Sequence, residues 1–448
     1  MSESESSNSA CYYDALLKII DNDILPDLTT PRAKYSGNFL RKEIARWATL
    51  NAHRPALPES LASLHSESVA TAPLPKDKKA LYRAVLEEGR LMDAIEDATM
   101  ERLKPRAPSP ETSAALPDSI NAATTQAYLR AHLNPKLVVN DLRVLSGGRS
   151  KQTILLSLSG GDGKPLERVI RRDMATSPTG ATVPDEFELL KVLHSKGYPV
   201  PLPYHCERDS NKLGPTPFNI VGKVSGALDG HLFDPPGNAA VLDSARALGK
   251  LHTLPVADIQ PTLRPQFREA PDAAKRRELI LELRATWDKE RRVPTATVEF
   301  AFDWMLENVD SLKPLVAVVH GDYSYHNILF DGDKVSAVLD WELVRLGHPA
   351  EDVGFIRPAA LKRVTWAEFM AAYRAGGGPD IDSRDQLYYS LLEKLRLMIM
   401  LFKVRPYVEK GYSDDIEFVD AILMAIPRIV QQMAYELRVY PGLSALAT

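Results

Sequence analysis

Apolar positions change their period twice along this chain, and each change marks a boundary between kinds of structure. Between about 12 and 105 they recur at helical spacing. Leu16, Leu17, Ile19 and Ile20 share one side of 12–23, which Pro26 stops because it has no N–H and its ring clashes with the preceding turn. Leu40, Ile44 and Trp47 repeat the pattern over 38–51, and Leu81, Val85, Leu91, Ile95 and Met100 run along a long charged helix over 77–103. No chemical constellation sits in this region, so it reads as a small docking domain through which a homodimer could form. From 104 to 119, four prolines and few apolar residues give the chemistry of a semi-rigid linker.

After Pro135 the period shortens to that of strands. Segments 137–145, 152–159 and 168–171 predict a three-stranded antiparallel meander. Its first connection carries Gly147-Gly148 and its second Gly160-Gly161-Asp162-Gly163. A helix over 185–196 ends at Gly197, and a strand over 218–221 runs into Gly222 and Lys223. Beyond about 238 helical spacing returns, over 239–252, 268–291, 298–308, 385–404 and 414–437, interrupted by a β-rich island at 315–340. The expected fold is therefore α+β and two-lobed. Its expected parts are a helical N-terminal domain over 1–104 and a linker over 105–125. A sheet-rich N-lobe over 126–225 and a larger helical C-lobe over 226–448 complete it.

Composition removes several alternatives. The 448 residues are 44% hydrophobic and 25% charged, which is ordinary for a globular protein and excludes wholesale disorder. A net charge of −4 argues against a general nucleic-acid binder. Cys11 and Cys206 are too few for a disulfide framework or a Cys-based zinc site. No apolar run approaches the roughly 20 residues a membrane helix needs, so no membrane partner is expected. The Ser/Glu-rich start lacks the basic and apolar regions of a signal peptide, and a cytoplasmic location is expected.

The island at 315–340 carries the chemistry. It reads Val318-Val319-His320-Gly321-Asp322-Tyr323-Ser324-Tyr325-His326-Asn327-Ile328-Leu329-Phe330, then Asp331-Gly332-Asp333, then a second apolar run and Asp340-Trp341-Glu342. Two short strands flanking an Asp-Gly-Asp turn predict a hairpin. Asp322 and Asn327 lie on the loop entering it, and Asp340 lies just past its exit. A hairpin joins its two ends in space, so these three side chains should converge. Phosphoryl transfer asks a protein mainly for positioning and charge neutralisation. One carboxylate can take or orient a hydroxyl proton, while hard oxygen donors hold magnesium on nucleotide phosphates.

Through these residues the chain resembles the aminoglycoside phosphotransferase-like kinases, a branch of the protein-kinase-like fold that phosphorylates small-molecule hydroxyls. The similarity runs from about 140 to 375. It implies that Asp322 is the catalytic base and that Asn327 and Asp340 bind Mg2+. It places Ser146, Gly147, Gly148, Arg149 and Ser150 in the phosphate-covering loop, where glycine lets backbone N–H groups approach phosphate oxygens. Arg171 would be the cation on the α/β-phosphates and Glu186 its acidic partner. Arg172 is the adjacent alternative, and strand alternation turns it to the opposite face. The strand ending at Val221, with Lys223 just beyond, would be the hinge that holds the purine. Asp352 would brace the catalytic loop, His320 is read as a loop-bracing histidine and His252 as core. His326 stands where close relatives carry a small residue.

The resemblance thus implies ATP or GTP and Mg2+ as cofactors, and a small hydroxylated molecule as acceptor. Around Leu339-Asp340-Trp341-Glu342 the pattern is similar to the phosphotransferase domains fused to some acyl-CoA dehydrogenases, which implies a hydroxyacyl-CoA or hydroxy-acid acceptor. An antibiotic-modifying O-phosphotransferase, for aminoglycosides or macrolides, is the alternative enzyme. A catalytically silent nucleotide-binding scaffold is the alternative from another class. Lys394, Arg396, Lys403 and Arg405 are either a solvated helix face or the receptor of an anionic acceptor.

Overall fold

The computed structural model describes residues 77–102, 120–145, 151–160, 163–173, 180–209, 213–214, 216–230, 235–290, 295–409 and 416–447. The helices expected over 12–23 and 38–51, most of the linker, and the 146–150 loop lie outside the described residues. The described helices are α1 Lys78–Arg102, α2 Ala122–His132, α3 Val183–Ser195, α4 Asn238–His252, α5 Val256–Ile259 and α6 Ala273–Glu290. They continue as α7 Ala296–Asn308, α8 Ala350–Ala360, α9 Trp366–Ala375, α10 Ser383–Glu409, α11 Ile416–Val439 and α12 Ser444–Ala447. The chain forms two compact units, one from Thr112–Pro271 with Lys313–Asp382, the other from Met1–Glu111 with Asp272–Leu312 and Ser383–Thr448.

The first unit begins with a five-stranded antiparallel sheet of β1 Val138–Leu145, β2 Lys151–Ser159, β3 Pro165–Asp173, β4 Pro203–Glu207 and β5 Phe218–Gly222. Their spatial order is β1-β2-β3-β5-β4. The meander and the 218–221 strand are as the alternation predicts. Strand β4 at the edge is an addition, hidden by Pro199, Pro201 and Pro203, which mask the alternation there. Ile154, Leu156, Leu158, Ile170, Phe218 and Ile220 are buried with Tyr128 and Leu129 of α2 in one apolar cluster. Helix α2 begins inside the stretch expected to be linker. Its buried face is only Thr125, Tyr128 and Leu129, too thin a stripe to read as periodicity. A reciprocal cap compensates: Asn121 Oδ1 accepts from the Thr124 N–H at 3.0 Å and Thr124 Oγ1 accepts from the Asn121 N–H at 3.2 Å. Such a cap contributes about 1 kcal/mol.

The same unit continues into short strands that frame the 315–340 island. These are β6 Ala227–Leu228, β7 Ala317–Val319, β8 Ile328–Asp331, β9 Lys334–Val338 and β10 Arg345–Gly347. Strands β8 and β9 form the predicted hairpin, with Ile328 opposite Val338, and β6 adds on beside β8. Strand β7 pairs with β10. Helices α4 and α9 pack together, Leu248, Leu251, Phe369 and Tyr373 among their buried residues.

The second unit is helical. α1 packs on α7 and α11, and α6 packs on α7 and α10. Leu81, Tyr82 and Val85 are buried with Phe300, Met305, Met433 and Leu437. Tyr82 donates to the Leu437 carbonyl at 2.9 Å and its ring lies 5.0 Å from that of Phe300. Lys394 of α10 is not on a solvated face. It is 6% exposed and donates to Ser390 Oγ at 2.7 Å and Glu436 Oε1 at 3.0 Å. Arg396 pairs with Glu393 at 2.5 Å. The side chains of Lys403 and Arg405 lie outside the described ones. Among the described residues, no helix is long and apolar enough to cross a membrane.

Candidate active site

The loop between β7 and β8 is held from below by a buried carboxylate. Asp352, in the first turn of α8, has no exposed surface and accepts from the His320 and Gly321 N–H groups, each at 2.8 Å. His252 Nε2 lies 3.2 Å from the same carboxylate, and its Nδ1 is 2.7 Å from the Tyr373 hydroxyl. A buried carboxylate is tolerable because these donors replace the water it has lost. Gly321 has φ +84°, and a Cβ there would meet the Leu343 carbonyl at 2.6 Å, so no other residue fits the turn.

His320 joins the two ends of the hairpin. Its Nε2 is 2.9 Å from the Leu339 carbonyl, and its Nδ1 accepts from the Asp322 N–H at 3.2 Å. A carbonyl can only accept and an amide N–H can only donate, so these two contacts together fix the neutral tautomer with hydrogen on Nε2. The ring also packs on Trp341, centroid to centroid 4.6 Å. His320 therefore ties the backbone of Asp322 to the residue just before Asp340. The Leu339 N–H adds a second tie, donating to the Asn327 carbonyl at 2.8 Å.

The predicted side chains then meet in two groups joined by this frame. Asn327 Nδ2 donates to Asp322 Oδ2 at 2.9 Å and to its carbonyl at 3.0 Å. His326 Nε2 lies 3.5 Å from the same carboxylate, and its Nδ1 is 2.6 Å from Ser324 Oγ. On the other side, Arg171 of β3 spans two acids, with Nη1 3.1 Å from Glu186 Oε2 and Nη2 3.2 Å from Asp340 Oδ1. Arg172 turns the other way, against Gly214 and Thr216. Asp340 has φ +63°, alone among the described non-glycine residues in being left-handed. Asp tolerates this better than most residues, at a cost of about 1 kcal/mol or more, and such strain gathers at functional sites.

Carboxylate oxygens of Glu186, Asp340 and Glu342 lie within 4.8 Å of one another. Glu186 is 2% exposed, and burial pushes its pKa up to about 7, with Arg171 opposing the shift and Asp340 adding to it. Its Oε1 is buried and has no hydrogen-bond partner. Burial also works against the Arg171 charge, but Glu186 and Asp340 outweigh it and leave its pKa raised. Hard carboxylate oxygens are the donors magnesium takes, and Asp340 brings one to this group, so the donor chemistry present fits magnesium.

Of the remaining expected residues, Ser146, Gly147, Gly148, Arg149 and Ser150 lie outside the described ones. Val221 is buried in β5 opposite Val169, and the Lys223 ammonium is 2.8 Å from Glu167, so neither joins the bonded network around Asp322 and Asp340. Sequence reasoning misses Lys151. This lysine is 2% exposed, 3.0 Å from Asp173 Oδ1, 2.5 Å from the Ala181 carbonyl and 3.9 Å from Glu342 Oε2. A signal for it exists: the Gly160–Gly163 turn sets a register in which Ser159 faces Pro165 and, counted back, Lys151 faces Asp173.

Comparison with known proteins gives the family and the fold. The profile of the phosphotransferase enzyme family matches residues 141–387, more than half of the chain. Acyl-CoA dehydrogenase family member 11 of Mus musculus is 29% identical over 248 residues, which are 52% of this chain and 30% of that protein. The human protein of the same description is 25% identical over 254 residues, with the same shares. The match thus spans under a third of these curated relatives. Among solved structures, a candidate aminoglycoside phosphotransferase of Ralstonia eutropha superposes with TM-score 0.52 at 21% identity, covering 71% of this chain and 98% of that one. The spectinomycin phosphotransferase solved with ADP and spectinomycin gives TM-score 0.50 at 13% identity, covering 70% and 98%. These likenesses carry the fold, which is the two-lobed, kinase-like α+β architecture. The family match carries the assignment: the chain belongs to the phosphotransferase enzyme family.

Proposed function

We propose that this protein transfers the γ-phosphate of ATP, with GTP as the alternative donor, to a hydroxyl of a small molecule in a magnesium-dependent reaction. The observation that carries the reading is the junction at the ends of the β8–β9 hairpin. There Asp322 with Asn327 on one side, and Asp340 with Arg171 and Glu186 on the other, are tied together through His320. Asp322 accepts a hydrogen bond from the acceptor hydroxyl and orients its oxygen toward the γ-phosphorus. As the new O–P bond forms, the bond to the bridging oxygen breaks, its electron pair leaves on the nucleoside diphosphate, and the hydroxyl proton passes to Asp322. Asn327 holds the Asp322 carboxylate in place through its amide. Arg171 offers a bidentate cation to the α/β-phosphates and Glu186 keeps that guanidinium aimed. Asp340 and Asn327 would hold magnesium when it is bound, and the ion would supply positive charge to the phosphate oxygens.

A hydroxyacyl-CoA or hydroxy acid is the acceptor class we favour, because the matched relatives are described as acyl-CoA dehydrogenase family members. Its support is the resemblance alone. Lys394 and Arg396, two of the cations considered as receptors of a CoA phosphate, are engaged by Glu436 and Glu393. An antibiotic acceptor is the second reading, favoured by the likeness to the spectinomycin phosphotransferase. A nucleotide-consumption screen over hydroxyacyl-CoAs, hydroxy acids, aminoglycosides and macrolides, with Asp340→Ala as blank, separates them. Consumption with the first two classes is the expected result. Response to polycationic antibiotics alone overturns the preference, and no transfer despite nucleotide binding would favour the silent scaffold.

A further inference from the structure

We propose that Lys151 is a positioning residue of the transfer site, an inference that rests on the phosphotransferase reading above. A buried ammonium is costly unless paired and hydrogen-bonded, and the partners of Lys151 are placed where they matter. It opens β2, and its ammonium sits 3.0 Å from Asp173 Oδ1 at the end of β3 and 2.5 Å from the Ala181 carbonyl. The Asp173 carboxylate also accepts from the Val183 N–H, at 3.0 and 3.2 Å. Val183 is the first residue of α3, where the helix dipole favours negative charge. Glu186 follows three residues later and holds Arg171, which in turn reaches Asp340. Cross-strand pairing sets Lys151 against Asp173 and Thr153 against Arg171, so Lys151 and Arg171 project from the same face of the sheet.

Polar contacts add to the apolar packing of Val183 and Phe187 at this corner. A small cavity lined by Ala181, Glu186, Arg264, Trp341 and Glu342 lies between the start of α3 and the 341–344 segment, so on this side the helix has room to move. The Lys151–Asp173 pair constrains this side through the Val183 N–H. On the far side its ammonium faces Glu342 at 3.9 Å, so the acidic group of Glu186, Asp340 and Glu342 lies between Arg171 and Lys151. Loss of this tie lets α3 shift and takes Glu186, and with it Arg171, out of register with the nucleotide phosphates. The pair acts on binding through α3 and touches no reacting atom.

The test uses the full chain with ADP and Mg2+ as probe, read by titration calorimetry beside thermal unfolding. Lys151→Met alone strands a buried carboxylate, so the informative variant is Lys151→Met with Asp173→Asn, which removes both charges of the pair together. We expect this double variant to fold with a near-parental melting temperature and to bind Mg·ADP about tenfold or more weakly. Lys151→Arg, which keeps the cation, should recover most of the affinity. Parental affinity in the double variant, or a double variant unable to fold, would overturn the inference while leaving the phosphotransferase reading intact. A parent protein that binds no Mg·ADP would overturn both.

Discussion

Asp352 and Glu88, one in each unit, are buried carboxylates that each grip two consecutive backbone N–H groups, and the residues beyond the grip differ in kind. Glu88 of α1 accepts from the Ala296 and Thr297 N–H groups at 2.9 and 3.1 Å and from Thr297 Oγ1 at 2.7 Å. It serves the opening turn of α7, whose first N–H groups have no partner within the helix. The next residues of α7 are core: Val298, Phe300, Ala301 and Phe302 are buried. Asp352 grips His320 and Gly321, and the next residue is Asp322. The chemistry of the two anchors is alike. One closes a helix end and contributes stability. The other fixes a left-handed glycine turn that no apolar contact could orient, and so sets the direction of Asp322, the carboxylate proposed as the base.

Removing each anchor should therefore have different consequences. Asp352→Ala strips the acceptor from His320, Gly321 and His252 together and should cost about 3–5 kcal/mol in chemical unfolding. Transfer activity should fall to background even where the variant is folded. Glu88→Ala should cost about 2–3 kcal/mol, with turnover unchanged well below the melting temperature. A loss of turnover in Glu88→Ala comparable to that of Asp352→Ala would erase the distinction. A smaller effect lies in the pH dependence. Burial raises the Glu88 pKa above its usual 4.5, against the hydrogen bonds from Thr297 and Ala296. The folded state therefore holds this proton more tightly than the unfolded chain, so the contribution is fully present below about 4.5 and fades as pH rises through the folded value. Glu88→Gln should flatten that part of the stability–pH curve measured by urea unfolding. An unchanged slope would mean that other groups carry it.

The features legible in the sequence are local ones. The hairpin's Asp-Gly-Asp turn can be read directly, so the meeting of its two ends is a matter of a short count, although Asp322 bonds to Asn327 while Asp340 pairs with Arg171. Arg171 and Glu186 are placed by resemblance, and their meeting with Asp340 depends on contacts across 169 residues that no periodicity reveals. Lys151 escapes notice because a lysine beside a glycine turn reads as surface, although the hairpin register already sets it against Asp173. The first turn of helix α2 reads as linker since the helix buries three residues and relies on a cap. Lys394 reads as solvated because its counter-charge, Glu436, lies on another helix. In Lys151, Lys394 and the Arg171–Asp340 contact alike, the deciding partner is distant in the chain.

Asp322 is assigned to the acceptor, and Asp340 and Arg171 to the nucleotide. This division of labour is best examined by measuring Mg·ATP binding and phosphate transfer side by side for the parent and Asp322→Asn. Nucleotide affinity is expected within about twofold of the parent, with transfer reduced by about a thousandfold or more. An Asp322→Asn protein that transfers phosphate at the parental rate would refute the division.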